Sequence, residues 1–226
     1  MSKSESALRC LILDIDGTLI DSNEAHLLSW AEAFRRFGID VAQSELQKQI
    51  GKGSDHYVPE FLTARQMQRI SKELKDLKKQ LYLDDYRPEV KPFAGVRERL
   101  FALHEAGIRL VLASSSDEDD VQYSIGLLGI EAILHGSTSK DDVKHSKPSP
   151  EIFDAARQKA GSSLEETVTV GDTPYDIAAS HRASLATAAL LCGGFSREAL
   201  HKAEFIFDDF NDFADHIKAV ERSLSD

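Results

Sequence analysis

Asp14 and Asp16 stand one residue apart at the end of an apolar run in the stretch "LRCLILDIDGTLID". Successive strand side chains alternate faces, so a strand continued through both aspartates would aim both carboxylates to one side. At about 4 Å, two unit like charges cost on the order of 4 kcal/mol at an effective dielectric near 20, so the pair calls for a cation or a proton between them. Three further stretches place polar residues around the ends of apolar runs. Ser114-Ser115-Ser116 follow "IRLVLA", Gly171-Asp172-Thr173-Pro174-Tyr175-Asp176 follow "TVTV", and Lys147 lies between them in "HSKPSPEIF". Each has a bland reading taken alone: Asp-Gly as a turn, the serines as a helix cap, the lysine as a solvated surface group. The turn reading leaves Lys147 and the segment "GDTPYD" unexplained.

Elements that would hold these residues follow from periodicity. After the first strand, "DSNEAHLLSWAEAFRRFG" reads as a helix capped by Asp21 or Ser22, with a stripe of Leu27, Trp30, Ala31 and Phe34 and a stop at Gly38. Ser44 to Gln47 and Thr63 to Gln66 both carry the spacing of a capping box, predicting two more helix starts. The second of these helices is long, with Met67, Ile70, Leu74, Leu77 and Leu81 on one stripe and "KELKDLKKQ" filling its other face with charge. From about Lys91 helices alternate with short β-rich runs: "FAGVRERLFALHEAG" helix, "IRLVLA" strand, "DEDDVQYSIGLLG" helix, "EAILH" strand, "PEIFDAARQKAG" helix opened by Ser149-Pro150, "TVTV" strand, "PYDIAASHRA" helix, "LATAALL" strand, and a strand-then-helix tail. That alternation predicts an α/β fold, a doubly wound parallel sheet whose ligands sit beyond the carboxyl ends of its strands. The polar strand ends would converge on that edge. The helical segment 22–91 reads as an inserted cap, leaving 1–21 and 92–226 as a Rossmann-like core.

In that order, DxDGTL, a serine after a β run, Lys-Pro and GDTPYD make the chain resemble the haloacid dehalogenase-like hydrolase superfamily, in its phosphatase and phosphomutase branch with a helical cap. The resemblance implies that Asp14 attacks phosphorus to form an aspartyl-phosphate, and that Asp16 serves as acid and then as base. It implies a hard cation, Mg²⁺, held through oxygen by Asp14, the backbone carbonyl of Asp16 and the carboxylate of Asp172. Asp176 would steady Lys147 or a metal-bound water. Lys147, the Ser114 hydroxyl and the backbone N–H of Ser115 would hold phosphoryl oxygens. In the cap, "IGKGSDHY" looks like a mobile loop from which Lys52 could meet a second anionic group, and Glu24 and His26 on the hinge helix could face the site.

Composition narrows the alternatives. A formal charge of −11 over 226 residues argues against a general nucleic-acid binder. No apolar run reaches the roughly 18 residues of a membrane span, and "MSKSESALRC" lacks a secretory apolar centre, so a cytoplasmic protein acting without membrane is expected. Cys10 and Cys192 both read as small buried hydrophobes in apolar runs. The expected partner is a small phosphorylated metabolite, and the expected assembly a monomer or homodimer. A sugar phosphomutase is the nearest competing function, though Asp117-Glu118-Asp119-Asp120 stand where similar mutases carry basic or amide residues. A phospho-accepting signalling domain would need neither the cap nor Asp16, and a non-catalytic binder would not need the full set of Asp14, Asp16, Ser114, Lys147 and Asp172.

Overall fold

The computed structural model describes residues 8–225. The absence of a secretory centre, read from the first ten residues, falls mostly outside them. Strand β1 (Cys10–Leu13) is buried along its whole length. Its Leu11 and Leu13 enter one hydrophobic core, while Cys10 and Ile12 enter another on the opposite face. A strand that is apolar on both faces belongs at the centre of a parallel sheet covered by helices on both sides. β1 lies there, parallel to β4 (Arg109–Ala113) and β6 (Thr167–Gly171). With β5 (Leu134–Thr138), β7 (Ala186–Leu190) and β8 (Phe205–Phe207) the six strands run in the order β5-β4-β1-β6-β7-β8, every adjacent pair parallel. The order reverses direction at β1. That makes its carboxyl end, where Asp14 follows Leu13, the crevice in which such sheets bind ligands.

Helices α5 (Val96–Glu105), α6 (Glu118–Leu128) and α9 (Phe210–Asp215) cover one face through Val96, Leu100, Val121 and Phe213. On the other face lie α7 (Glu151–Ala160) and α8 (Pro174–Arg182), through Ile152, Phe153, Ala156 and Ala179. The tail helix breaks at His216 into α9 and α10 (Ile217–Ser225). Among the described residues no helix is long and apolar enough to cross a membrane.

Two short strands, β2 (Ile20–Asp21) and β3 (Lys91–Pro92), pair antiparallel. All regular structure between them is helical: α1 (Asn23–Arg36), α2 (Gln43–Gln47), α3 (Ser54–Tyr57), α4 (Ala64–Leu81) and short irregular turns. This segment has its own core, in which Trp30, Phe34, Leu46, Tyr57, Leu74 and Leu81 are buried. α4 opens with the full capping box, Thr63 accepting from the Gln66 N–H and Gln66 reaching back to the Thr63 N–H.

Several expectations require correction. The box spacing at Ser44 does not start a helix: α2 begins at Gln43 with Ala42 as its N-cap, and Ser44 lies inside its single turn. Ser22 flanks α1 without capping it, because its hydroxyl is taken by Asp16. α7 begins at Glu151 with Pro150 rather than Ser149 at the N-cap. "EAILH" opens as a 3-10 turn over Glu131–Ile133, and the strand starts only at Leu134. Cys192 is half-buried in a 3-10 turn, its thiol donating to the Gly17 carbonyl at 3.3 Å. The glycine-flanked loop is docked: Gly51, at φ 98°, brings its backbone so close to Thr173 that a Cβ would collide with it.

Candidate active site

The carboxyl ends of β1 and β6 deliver the acids. Asp14 donates its backbone N–H to the Val170 carbonyl at 2.9 Å, which fixes it beside β6. Its Oδ1 pairs with the Lys147 ammonium, and its Oδ2 accepts from the Thr18 hydroxyl at 3.2 Å. The same hydroxyl reaches Asp172 Oδ1 at 3.1 Å, and Asn23 Nδ2 donates to Asp172 Oδ2 at 2.8 Å while holding the Gly193 carbonyl at 2.8 Å. A Cβ on Gly193 would strike the Asp172 carboxylate, so glycine is required for this approach. Asp176, in the first turn of α8, presents Oδ1 to Lys147 at 2.8 Å and binds the Thr173 hydroxyl at 2.5 Å through Oδ2. Lys147 is 1 % exposed, and Asp14, Asp172 and Asp176 are all buried. Each of the three acids places an oxygen within 4.8 Å of the others.

Three buried carboxylates against one ammonium leave uncompensated negative charge. Burial, then Asp14 and Asp176, raise the Asp172 carboxyl well above the ordinary range despite its donors Asn23 and Thr18. Burial pushes Asp14 up to about 7, against the attraction of Lys147 and with the repulsion of Asp176 and Asp16. Burial disfavours the charged form of Lys147, but Asp14 and Asp176 outweigh it and raise its pKa. The donors are all hard oxygen atoms in charge excess, so the residues fit a hard divalent cation.

Asp16 lies apart from that cluster. After β1 the chain turns about the Ile15 carbonyl, which accepts from the N–H groups of Thr18, Leu19 and Ile20 at 3.3, 2.9 and 3.1 Å. The strand therefore does not continue through both aspartates, and beyond this turn Asp16 has hydrogen-bond partners of its own. Its Oδ1 accepts from Ser22 Oγ at 2.6 Å and contacts His26 Nε2 at 3.1 Å, while Oδ2 accepts from Ser116 Oγ at 3.1 Å. Burial opposes its ionisation, yet His26 and these hydrogen bonds hold the carboxyl well below the usual range. The member of the pair with the greater hold on a proton is thus Asp14. His26 Nδ1 lies 2.9 Å from Lys78 Nζ. An ammonium only donates, so Nδ1 accepts and Nε2 carries the proton offered to Asp16. Burial and Lys78 lower the His26 pKa against the pull of Asp16, in keeping with this neutral form. The ring stacks on Tyr82 at 4.2 Å between centroids.

After β4, Ser114 is buried and its hydroxyl accepts from the Ser116 N–H at 3.0 Å. The Ser115 hydroxyl is buried without any hydrogen-bond partner, an orphan oxygen beside the acidic cluster. Neither Ser115 nor Ser116 caps α6. Asp117 does so, accepting from the Asp120 N–H. A cavity of about 290 Å³ opens above these groups and is lined by Asp14, Asp16, His26, Lys52 and all three serines. Glu24 is exposed on α1 and is not among the residues that line it. Lys52 reaches the cavity but is paired with Glu60 at 2.7 Å and lies over the Tyr175 ring. Thr18, Asn23 and Lys78 were given no role by type or spacing, and Ser22 and Ser116 were read only as helix caps. Only the proximity of Thr18 and Ser22 to the aspartates offered a signal.

The family model described as haloacid dehalogenase-like hydrolase matches residues 11–190. The chain is 28% identical over 187 residues to a pyrophosphatase PpaX from Oceanobacillus iheyensis, covering 81% of this chain and 84% of that one. It is 27% identical over 187 residues to a phosphoglycolate phosphatase from Aquifex aeolicus, covering 82% and 86%. A solved hydrolase from Pseudomonas syringae superposes with a TM-score of 0.86 at 25% identity, over 94% of this chain and 99% of that one. The matched span begins within β1 and ends with β7, so it takes in every strand end that carries an acid or serine of the site. On that match, the chain belongs to the haloacid dehalogenase-like hydrolase family.

Proposed function

We propose that this enzyme is a Mg²⁺-dependent phosphatase that hydrolyses a small phosphorylated metabolite through an aspartyl-phosphate on Asp14. The observation that carries the reading is Lys147: a lysine 1 % exposed, set between Asp14 and Asp176 and facing the cluster that includes Asp172. Curated relatives named for pyrophosphate and phosphoglycolate support the same class of substrate. Asp14, Asp172 and the Asp16 backbone carbonyl would hold Mg²⁺, which supplies charge neutralisation at the phosphoryl oxygens.

The chain's own residues account for the remaining steps. Lys147, the Ser114 hydroxyl and the unpartnered Ser115 hydroxyl bind phosphoryl oxygens. An Asp14 oxygen bonds to phosphorus as the bond to the leaving oxygen breaks, and Asp16 gives that oxygen a proton. The approach of a phosphoryl dianion raises the proton affinity of Asp16, so the proton is taken up with substrate. Asp16 then removes a proton from water as the water oxygen bonds to phosphorus. The bond to Asp14 breaks, and phosphate leaves with the Asp14 carboxylate restored. His26, fixed by Lys78, aims Asp16 throughout. We take residues 22–91 as the cap, with the β2–β3 pair as its hinge.

Phosphate release from a panel of small phosphorylated metabolites, with and without chelator, tests this reading. Release should stop with chelator, return with Mg²⁺, and return poorly with Ca²⁺, whose larger and looser coordination displaces the attacking carboxylate. Metal-independent release would contradict it.

A further inference from the structure

Helix α1 begins the helical segment, yet its first turn faces back to the sheet. Farther along, Trp30, Ala33 and Phe34 bury it in the segment's own core. Asparagine is a poor former of helix interiors, favoured at helix ends because its side chain can cap them. Asn23, the first residue of α1, is instead buried, and its Nδ2 donates to Asp172 Oδ2 at 2.8 Å and to the Gly193 carbonyl at 2.8 Å. The Gly193 carbonyl can only accept, which fixes the amide with Nδ2 toward both partners.

The backbone is built around this bond. A Cβ on Gly17, at φ 75°, would strike both the Asn23 amide and the Asp172 carboxylate, and one on Gly193 would strike Asp172. Asp172 is thereby held from two sides, by Thr18 on Oδ1 at 3.1 Å and by Asn23 on Oδ2 at 2.8 Å. Of these two donors only Asn23 belongs to the helical segment. A carboxylate that ligates a metal is oriented by hydrogen bonds from outside the coordination sphere, and losing such a partner costs about 10- to 100-fold in metal affinity.

We propose that Asn23 is a positioning residue for the cation, and that through Asp172 it couples Mg²⁺ affinity to the seating of α1. The proposal rests on the metal-dependent reading above and goes beyond it, because it gives the helical segment a part in holding the ion before any substrate arrives. Such coupling is reciprocal. If the seated helix strengthens binding of the ion, the bound ion holds the helix in its seat by the same factor.

Calorimetric titration with Mg²⁺ and hydrogen exchange at the amides of residues 26–29 test this in the absence of substrate. The first of these amides, His26 N–H, donates to the Ser22 carbonyl at 3.0 Å, so its exchange reports opening of the first turn. In Asn23→Ala, Mg²⁺ should bind about 10- to 100-fold more weakly. In the wild type, saturating Mg²⁺ should slow exchange at these amides by about that same factor, because the opened wild type and the variant lack the same bond. In the variant at its own saturating Mg²⁺, most of that slowing should be gone. Unchanged Mg²⁺ affinity in Asn23→Ala would overturn the proposal, as would wild-type exchange indifferent to Mg²⁺ or slowing that survives in full in the variant. A purely structural Asn23 would lower the metal-free melting temperature and speed exchange equally with and without Mg²⁺, and that result also overturns it. Should Asn23→Ala fail to fold, the wild-type exchange comparison decides alone. Binding of Mg²⁺ with an unaffected α1 leaves the phosphatase reading standing, whereas no Mg²⁺ binding by the wild type contradicts that reading as well.

Discussion

At the scale of single residues, the site separates two neighbouring acids into different environments. Asp14 shares a lysine with Asp176, whereas Asp16 is held by Ser22, His26 and Ser116. Asp14→Asn should cut turnover by at least about 10³-fold with the fold intact, as read by kcat together with circular dichroism, because the amide cannot form the covalent intermediate. Substantial activity in the pure variant would refute the assignment. His26→Ala should lower kcat by roughly 10- to 100-fold, the usual cost of losing a group that orients a catalytic one. It should also change the pH profile in a defined direction. His26 depresses the Asp16 pKa, so its removal lets that pKa rise, and the acidic limb of the water-attack step should move to higher pH. The same depression contributes stability that is present above the unfolded carboxyl pKa and is lost as pH falls through the folded value, so the variant should lose less stability on acidification. An unmoved limb would remove His26 from this role. Asp14, Asp16 and Asp172 could be singled out in the sequence because each follows an apolar run at a cost that needs a partner, and Lys147 because it precedes a proline and lies between two such runs. Asn23, Ser116 and Lys78 could not, because each is unremarkable on its own helix or loop and acquires meaning only through contacts with residues far along the chain.

At the scale of elements, periodicity located the strands and helices well wherever one face is buried. Runs such as "LRCLIL", "IRLVLA" and "TVTV" became β1, β4 and β6 because the central strands of a parallel sheet are apolar on both faces. The capping-box spacing succeeded at Thr63 and failed at Ser44. Thr63 precedes an 18-residue helix with a continuous apolar stripe, whereas α2 has only five residues and one buried side chain, Leu46, to hold it. Local spacing does not start a helix that packing does not extend. Thr63→Ala should therefore cost about 0.5–2 kcal/mol. It should lower the melting temperature by about 2–4 °C per kcal/mol. Thermal unfolding monitored by circular dichroism checks this, and an unchanged midpoint would mean that the cap contributes nothing.

At the scale of the molecule, the helical segment and the sheet meet over the acidic cluster through several contacts. Asp55 binds the hydroxyl of Ser146 and accepts from its N–H at 3.1 Å, one residue before Lys147. Tyr175 donates to the Lys48 carbonyl at 2.6 Å, and Lys79 pairs with Asp117 at 2.8 Å. If these contacts close over bound ligand, a phosphate mimic with Mg²⁺ should slow hydrogen exchange in the segments around Ser22 and Lys91. An unchanged exchange pattern would rule out such a closure. The segment's insertion between the first strand and the rest could be read from its unbroken helicity. Its docking could not, because the glycines of "IGKGSDHY" suggest mobility until Gly51 is seen against Thr173. The central claim, that buried acids at one strand end gather a divalent ion and a lysine around a phosphoryl group bound to Asp14, is tested most directly by a crystal structure with Mg²⁺ and beryllium fluoride. The account predicts beryllium bonded to an Asp14 carboxylate oxygen, Mg²⁺ held by Asp14, Asp172 and the Asp16 carbonyl, and Lys147 on a fluorine. Beryllium on another residue, or Mg²⁺ away from Asp172, would contradict it.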